Sequence, residues 1–464
     1  MEDPPDFDDP GPLPIRQPGR ARRAASVVIV LLLVASMVFL AWISGRGEIT
    51  VAPTAAPSVV SSVAPTPAVA RRLAIVDTAG RLMTTDPSGG SVVTYGQTGV
   101  RYHFPAWSPD GTRIAAVGTT ATGTVLHVFA VTAPEPAGAS GPAPSPGPAT
   151  VIYEAARGGP FYLYWAPDGT RLAFLTTEPT GIALRVAAAD GGSPARIVRE
   201  GDPLYWAWTD AGRLLVHAGG EGPGSFLGEV GEDGSGPAVA GVEPGDFRAP
   251  ARSTDGRYRG YVVPGTDTPE RIVADTADGS ARHEVAVFGG AVVGFGPRGT
   301  DLAFIAPAKR GPAVTLPVGP LRLLDAGLGT ARTVLAGNVV AFFWAPDGRS
   351  IAVLRLPPPD GTVALVRSTT PAATNDGLAL DLVFVDLATG TLRSRAAVRL
   401  GDTFTSQVLP YFDQYALSHQ VWAPDSKSIV LPLIDDGGAT ALEVIAADGS
   451  GSHRIAGEIG FWRP

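Results

Sequence analysis

A short motif, Trp-x-Pro-Asp-Gly, recurs along this chain and constrains its fold more than any other feature. Its clear and looser copies begin at Trp107, Trp165, Trp208, Arg252, Phe295, Trp344 and Trp422. Apolar runs precede and follow the clear copies, as around residues 161–175. Proline presets φ for the first central position of a turn, aspartate accepts the second, and glycine takes a position that needs positive φ. Each copy therefore predicts a β-hairpin whose aspartate serves the turn and not a reaction.

The interval between copies predicts the architecture that these hairpins build. Copies without an insertion recur about every 43 residues, and such a period with four strands per unit is typical of β-propeller blades. Longer intervals coincide with a low-complexity loop at 133–148 and with extra segments at 357–377 and 401–417. We expect an all-β propeller of four-stranded blades.

The two ends of the repeat array complement each other. Residues 73–95 contain three strand-like runs without a Trp-x-Pro strand before them, whereas residues 458–464 end in such a strand. In a clear copy the first apolar residue of the next strand follows the tryptophan by seven positions, as Leu172 follows Trp165. The pair Arg72-Leu73 at the start of the array corresponds to Arg171-Leu172 in that copy. We predict that the C-terminal strand pairs with the N-terminal blade and closes the ring, which leaves no open edge. Eight blades result, or seven if the unit at 252 or at 295 is not a blade.

A hydrophobic segment near the N-terminus predicts a membrane anchor. Residues 24–43 carry no charge and are numerous enough for a helix that spans a bilayer. The arginines that precede the segment are Arg16, Arg20, Arg22 and Arg23. The positive-inside rule then places the N-terminus in the cytoplasm and the remainder outside it. A cleaved signal peptide is the alternative, but the long apolar run and the acidic tail before the arginines favour an uncleaved anchor.

Four regions follow along the chain. We expect a disordered cytoplasmic tail at 1–23, a transmembrane helix at 24–43, a Pro/Ala-rich linker at 44–70 and the propeller at 71–464. The linker composition cannot bury a core and suits a semi-extended spacer.

Composition excludes several classes of function. The net charge is −8, whereas a nucleic-acid-binding surface requires clustered lysine and arginine. The absence of cysteine rules out disulfides, thiolate metal sites and a cysteine nucleophile. The six histidines lack zinc-binding spacing, and neither a Walker-type loop nor a Gly-x-Ser-x-Gly motif occurs. We expect no cofactor, no metal site and no nucleic-acid partner.

The repeat, extended to Trp-x-Pro-Asp-Gly-x-Arg with a later Asp-Gly turn, resembles the TolB-like, WD-repeat-related β-propeller family. The resemblance covers nearly all of residues 71–464. That family includes periplasmic proteins that bind other envelope proteins, and propeller domains that gate serine peptidases. The shared motif is structural, so the resemblance implies a fold and no active-site residue. This chain departs from the Tol-system protein in its expected anchor, its larger number of blades and the lack of a separate α/β domain.

One segment predicts a binding surface. The extra segment at 401–417 and the residues just after it bring Tyr411, Phe412, Tyr415 and His419 together in sequence. Aromatic residues in a long loop either form a contact surface or pack back against the blades as a lid. The axial channel of a propeller is another candidate, but its lining cannot be inferred from the sequence.

These observations favour a membrane-tethered, extracytoplasmic, monomeric propeller that binds an envelope protein or a cell-wall or glycan partner. An enzyme, either a lyase or a hydrolase with its site at the channel mouth, is the first alternative. A ligand-sensing ectodomain is the second. Acidic, histidine and tyrosine side chains gathered at a channel mouth would favour the enzyme, whereas an apolar face built from loops would favour the binding module.

Overall fold

A computed structural model describes residues 71–131, 147–179, 181–209, 212–222, 224–265, 268–307, 316–357 and 379–464. All of them belong to a compact unit that spans residues 51–464. The expected tail at 1–23, transmembrane helix at 24–43 and linker at 44–70 lie outside these residues, as do nearly all of the segments at 133–148 and 357–377. Among the residues described, no helix has the length and apolar character needed to cross a membrane.

The described chain consists almost entirely of short antiparallel strands. The first eleven are β1 (Leu73–Val76), β2 (Leu82–Thr85), β3 (Val93–Tyr95), β4 (Arg101–Trp107), β5 (Arg113–Thr119), β6 (Thr124–Ala130), β7 (Thr150–Ala155), β8 (Pro160–Trp165), β9 (Arg171–Glu178), β10 (Gly181–Ala188) and β11 (Arg196–Gly201). The next ten are β12 (Leu204–Trp208), β13 (Leu214–Ala218), β14 (Phe226–Val230), β15 (Ala251–Arg252), β16 (Tyr258–Val263), β17 (Glu270–Thr276), β18 (Arg282–Val287), β19 (Val292–Phe295), β20 (Asp301–Ile305) and β21 (Gly319–Asp325). The last eight are β22 (Ala331–Trp344), β23 (Ser350–Arg355), β24 (Ala379–Asp386), β25 (Leu392–Arg399), β26 (Ser428–Ile434), β27 (Thr440–Ala446), β28 (Ser452–Ile455) and β29 (Ile459–Trp462).

These strands form sheets of mostly four strands, an arrangement consistent with a β-propeller. The sheets run β29-β1-β2-β3, β4 to β7, β8 to β11, β12 to β14, β15 to β18, β19 to β25 and β26 to β28. The seven-stranded sheet contains β22, which has 14 residues and pairs with β21 at its start and with β23 at its end. The looser copies at 252 and 295 also begin series of consecutive strands that pair antiparallel, as the clear copies do.

The motif turns have the geometry that their residues predict. In the copy at Trp165, the N–H of Gly169 donates to the carbonyl of Ala166 at 2.8 Å, and Gly169 has a φ of 69°. The Asp168 carboxylate accepts the backbone N–H of Thr170 at 2.9 Å. In the copy that lacks glycine, Ser426 adopts a φ of 60°, a region that costs a non-glycine residue about 1–2 kcal/mol. The interpretation of Asp168 as a turn residue is confirmed by this hydrogen bond.

The strand at the C-terminal end pairs with the first strand. Leu73 lies opposite Trp462 in the β1–β29 pair, just as Leu172 lies opposite Trp165 in the β8–β9 pair. The register is therefore the one that the position of Leu73 in the repeat predicts. On its other side, the N–H of Trp462 donates to the carbonyl of Gln420 at 2.8 Å.

The motif tryptophans connect neighbouring sheets. We call the strand that runs into each motif the leading strand of its sheet. The indole N–H of Trp165 donates to the carbonyl of Ala106, the residue before Trp107 in the preceding leading strand, at 3.0 Å. The same bond recurs from Trp107 to Phe461, from Trp208 to Tyr164, from Trp344 to Gly294 and from Trp422 to Phe343. The tryptophan of the repeated motif thus links each of these sheets to the preceding one.

Candidate functional site

A helical segment interrupts the strands between β25 and the last motif. We call residues 401–419 the axial insert. It contains a π-helical turn (Phe404–Val408), a 3-10 turn (Leu409–Tyr411) and a four-residue helix, α1 (Phe412–Tyr415). All four side chains of α1 are buried. A helix this short is not stable by itself, so its contacts with the sheets hold it in place.

The aromatic side chains of α1 point to different sheets. Phe412 packs edge-to-face on Phe342 of β22, with ring centroids 5.3 Å apart. Tyr415 packs edge-to-face on Tyr162 of β8 at 5.1 Å and lies 6.2 Å from Phe104 of β4. Successive residues of a helix project about 100° apart. The leading strands β4, β8 and β22 therefore lie against different sides of α1.

The polar residues of α1 pair with buried backbone groups in or just before two further leading strands. The side-chain oxygen of Gln414 accepts the N–H of Trp206 in β12 at 3.0 Å, and its amide nitrogen donates to the carbonyl of Trp206 at 2.7 Å. The Asp413 carboxylate accepts the N–H of Ala249, which lies just before β15, at 2.9 Å. Leading strands have a free edge whose N–H and C=O groups need partners when they are buried. The Gln414 amide gives Trp206 the two bonds that a neighbouring strand would supply.

The strands that hold Tyr415 are locally strained. Phe104 and Tyr162 lie at equivalent positions, each three residues before its motif tryptophan, and have φ values of 51° and 46°. Positive φ is rare for bulky residues and marks a strained or specialised position. Both strands also shift register at this point. Both rings lie next to Tyr415 of the insert, and the Tyr162 hydroxyl donates to the Gln414 carbonyl at 2.5 Å.

Burial controls the charge state of the titratable groups in the insert. It lowers the pKa of His419 to about 3, against an opposing contribution from the Phe104 backbone, so the imidazole is neutral near pH 7. Burial raises the pKa of Asp413, while the Arg248 guanidinium and the Ala249 N–H act in the opposite direction. Burial also raises the pKa of Tyr162 and of Tyr415.

A cavity of about 450 Å³ lies against the insert on the face of the Trp-x-Pro-Asp-Gly turns. Its apolar lining includes Phe295, Phe342, Phe343, Trp344, Phe412 and Trp422. Its polar lining consists of Arg252, Thr254, Asp413, His419, Gln420 and Arg463. Asp413 and His419 belong to the insert, so the insert forms part of the cavity wall. The volume lies in the range of small-molecule sites, roughly 300–1,000 Å³.

A second, smaller cavity of about 140 Å³ lies at the other end of the insert. It is lined at the start of the insert by Thr403 and Gln407, and by residues of β4 such as Arg101 and His103. Thr403 donates a hydrogen bond to the Glu458 carboxylate in this region. In the described part of the chain no group of acidic and histidine side chains has the geometry to hold a metal ion.

The structure separates the four residues that the sequence singled out as a binding loop. Phe412, Tyr415 and His419 are buried, with exposed fractions of 0, 6 and 2%. Tyr411 is 44% exposed, and its ring lies 5.4 Å from the Arg248 guanidinium. Two alternatives were open for this segment, a contact surface or a lid packed against the blades. Phe412, Tyr415 and His419 pack as a lid, whereas Tyr411 remains at the surface.

No sequence pattern singled out the polar residues of the site. Asp413 and Gln414 lie between the aromatic residues of the same short run, and Arg252 and Arg463 belong to or adjoin motif copies. Asp413 and Gln414 could have been noticed as two polar residues within the aromatic run of an insertion. No local pattern indicates that Arg252, Arg463 and the insert meet at one cavity, because they are far apart in the chain.

The chain is similar in fold to several solved structures. No protein-family model and no curated protein matches its sequence. The dihydro-heme d1 dehydrogenase NirN in complex with DHE is 12% identical with a TM-score of 0.50, over 84% of this chain and 74% of that chain. AztD from Citrobacter koseri is 13% identical with a TM-score of 0.46, over 85% of this chain and 98% of that chain. TolB from Acinetobacter baumannii is 15% identical with a TM-score of 0.36, over 76% of this chain and 82% of that chain. At this level of identity, what the chain shares with NirN is the fold alone.

Proposed function

We propose that this chain is a membrane-tethered, extracytoplasmic β-propeller that serves as a protein- or glycan-binding scaffold in the cell envelope. The observation that carries this proposal is the cavity of about 450 Å³ on the turn face. It combines aromatic walls with a few polar groups, which is the composition of binding sites for small molecules or for a projecting part of a larger partner.

The state of the buried groups supports binding over catalysis. A general acid or base works best when its pKa lies near the operating pH. The pKa of His419 is lowered to about 3, which leaves the imidazole neutral and weakly basic. Tyr162 and Tyr415 are held in packing contacts, and burial raises the pKa of both. Histidine, aspartate and tyrosine side chains are thus gathered at the insert, where burial and packing contacts hold them in place.

Eight blades in a closed ring are part of the proposal. The looser units at 252 and 295 each contribute four antiparallel strands, which supports counting both as blades. Strand β22 supports a division of the seven-stranded sheet, since its two halves pair with different strands. Strand β29 contacts both neighbours, through Trp462 to Gln420 and through the Phe461 carbonyl to Trp107, which supports closure.

The membrane tether rests on the uncharged run at 24–43 and the arginines before it. Treatment of intact cells with a protease that cannot cross the membrane tests this part of the proposal. We expect digestion of the propeller and protection of an epitope tag at the N-terminus. Protection of the propeller, or a mature protein that begins near residue 45, would refute an uncleaved anchor with an outside propeller.

Capture of partners from solubilised envelopes tests the scaffold function. We suggest the full-length chain as bait, together with the Thr254→Trp variant, because Thr254 is exposed and lines the cavity. The matched control is Thr122→Trp, an exposed threonine in the turn at the far end of β5. A partner that binds wild type and Thr122→Trp but not Thr254→Trp supports the proposal. Identical capture by all three baits would contradict it.

A further inference from the structure

We propose that the cavity on the turn face binds a proline-rich run of the chain's own linker, residues 64–67, and that an envelope partner displaces this run. The run reads Ala-Pro-Thr-Pro. This inference rests on the proposed function, which makes the cavity the site of the partner, and it adds a self-inhibited state of that site. It follows from the place where the chain enters the propeller, from the composition of the linker and from the lining of the cavity.

The chain enters the propeller beside this cavity. Arg71, the first residue described, forms an ion pair with Asp425, which directly follows Pro424 of the cavity lining. The carbonyl of Arg72 accepts the N–H of Arg463, another lining residue, at 2.9 Å. The chain before Arg71 therefore continues from the rim of the cavity.

The run is near enough in sequence to reach the cavity. Pro67 precedes Arg71 by four residues, which span at most about 14 Å. Pro65 precedes it by six residues, or at most about 21 Å. A segment tethered by so short a connection has an effective concentration in the millimolar range. Even weak affinity for the cavity therefore gives substantial occupancy.

The cavity lining suits a segment with apolar side chains and free carbonyl groups. Phe295 and Trp344 are half-buried aromatic residues of the lining, and proline-rich segments bind aromatic grooves in an extended form. The polar lining residues that remain partly exposed are Arg252, Thr254, Gln420 and Arg463. Each of these side chains can donate hydrogen bonds, whereas a proline residue offers a carbonyl acceptor and no N–H.

The composition of the linker also matches the charges of the cavity. Residues 49–70 carry no charged side chain. Among the described residues that line the cavity, the one acidic side chain, that of Asp413, is buried. A neutral segment therefore brings no charge that would need a partner on desolvation. Two prolines in four residues also fix φ at two positions, which reduces the conformational entropy lost on binding.

Disulfide cross-linking within the full-length chain tests the docking, since the natural sequence contains no cysteine. One variant combines Thr66→Cys with Thr254→Cys, at an exposed position of the lining. The control combines Thr66→Cys with Thr112→Cys, at an exposed turn residue on the same face but outside the lining. Thr112 is a suitable control because its neighbour Gly111 lies against the Arg463 side chain. We expect the first pair to form an intramolecular disulfide at least tenfold faster than the second under a mild oxidant.

Replacement of both prolines, Pro65→Ala together with Pro67→Ala, should remove this difference, because the run then loses its fixed φ angles and its ring contacts. Equal rates in the two cysteine pairs, or a difference that persists without the prolines, overturn the proposal. A disulfide that forms only between two chains overturns it as well, since the run of one copy would then lie in the cavity of another.

Capture from solubilised envelopes connects the docked run with partner binding. We expect the bait without the two prolines to capture at least threefold more partner than wild type does, and unchanged capture overturns the competition. If the two cysteine pairs react equally while Thr254→Trp still abolishes capture, the docked run fails and the scaffold function stands. If the cross-link forms selectively at Thr254 but no bait captures a partner, the scaffold function fails and the docked run stands.

Discussion

At the scale of single residues, the motif tryptophans explain why so short a motif persists through the chain. Each of these tryptophans lies at the end of a leading strand. Its indole N–H donates to the carbonyl just before the first motif residue of the preceding sheet, as Trp165 donates to Ala106. Trp462 differs, because its indole nitrogen is buried and makes no hydrogen bond among the residues described. The two tryptophans therefore provide a comparison with and without the bond.

We expect Trp165→Phe to lower the free energy of unfolding more than Trp462→Phe does. Both side chains are nearly fully buried, so the loss of packing is similar in the two variants. Only Trp165→Phe leaves a buried carbonyl without its donor, which adds about 1–3 kcal/mol. Denaturant unfolding of the two variants beside wild type measures the difference. Equal losses would show that the bond between sheets contributes nothing.

The neutral His419 predicts a loss of stability in acid. The pKa of this histidine is about 3 in the folded protein, against 6.5 for the unperturbed side chain. Below about pH 6.5 the unfolded chain binds a proton that the folded chain does not, so stability falls as pH decreases toward 3. The contribution of one such group is about 1.4 kcal/mol per pH unit. His419→Gln should reduce the slope of unfolding free energy against pH by this amount between pH 6 and 4. A slope unchanged from wild type would refute the assignment.

At the scale of elements, the axial insert replaces partners that the leading strands lack. In most sheets the leading strand is the outermost strand of the series, which leaves its other edge without a strand partner. Gln414 and Asp413 satisfy backbone groups at two of these edges, and Phe412 and Tyr415 fill the space between others. The insert thus packs between leading strands as part of the core, although its sequence lacks the alternation of a β-strand.

Substitution of Gln414 tests the role of the insert. Gln414→Leu keeps the approximate size but leaves the N–H and the carbonyl of Trp206 buried without the side-chain partner, at a cost of about 2–4 kcal/mol. Ser406→Ala, an exposed position on the same insert, should change stability by less than about 0.5 kcal/mol. Chemical denaturation distinguishes the two. A Gln414→Leu protein as stable as Ser406→Ala would mean that the amide does not support β12.

At the scale of the whole molecule, β29 is the strand on which the most distant contacts converge. It pairs with β1 along four residues, accepts the Trp107 indole through Phe461 and meets Gln420 through Trp462. Ile459, Phe461 and Trp462 are at most 3% exposed. A single strand from the far end of the sequence therefore joins the first sheet, its successor and the last motif.

Deletion of residues 459–464 should sharply destabilise the propeller. Each large apolar side chain lost from the core removes about 1.5–3 kcal/mol of burial energy, and β1 also loses its strand partner. We expect the melting temperature to fall by at least about 10 °C. Removal of Pro464 alone, which is exposed, is the control and should have little effect. An unchanged melting temperature after the longer deletion would argue against a closed ring.

The sequence predicted local structure and strand register better than it predicted the site. Turn residues act within a few positions, so the hairpins and the pairing of Leu73 with Trp462 could be inferred from the spacing of one motif. The segment at 401–417 was recognised as an insertion, but nothing local specifies that Gln414 reaches Trp206 or that Asp413 reaches Ala249. Such contacts depend on how the sheets converge. The cavity on the turn face forms only after that convergence, and therefore it has no sequence signature.

The pairing of β1 with β29 also sets an order of events during protein synthesis. Leu73 leaves the ribosome long before Trp462 exists, and at about 5–20 residues per second the delay is on the order of half a minute. During that interval β1 has an apolar strand edge, Leu73–Val76, without its final partner. An exposed edge of this kind can pair with other chains. The nascent chain must be kept from such pairing until β29 has been made.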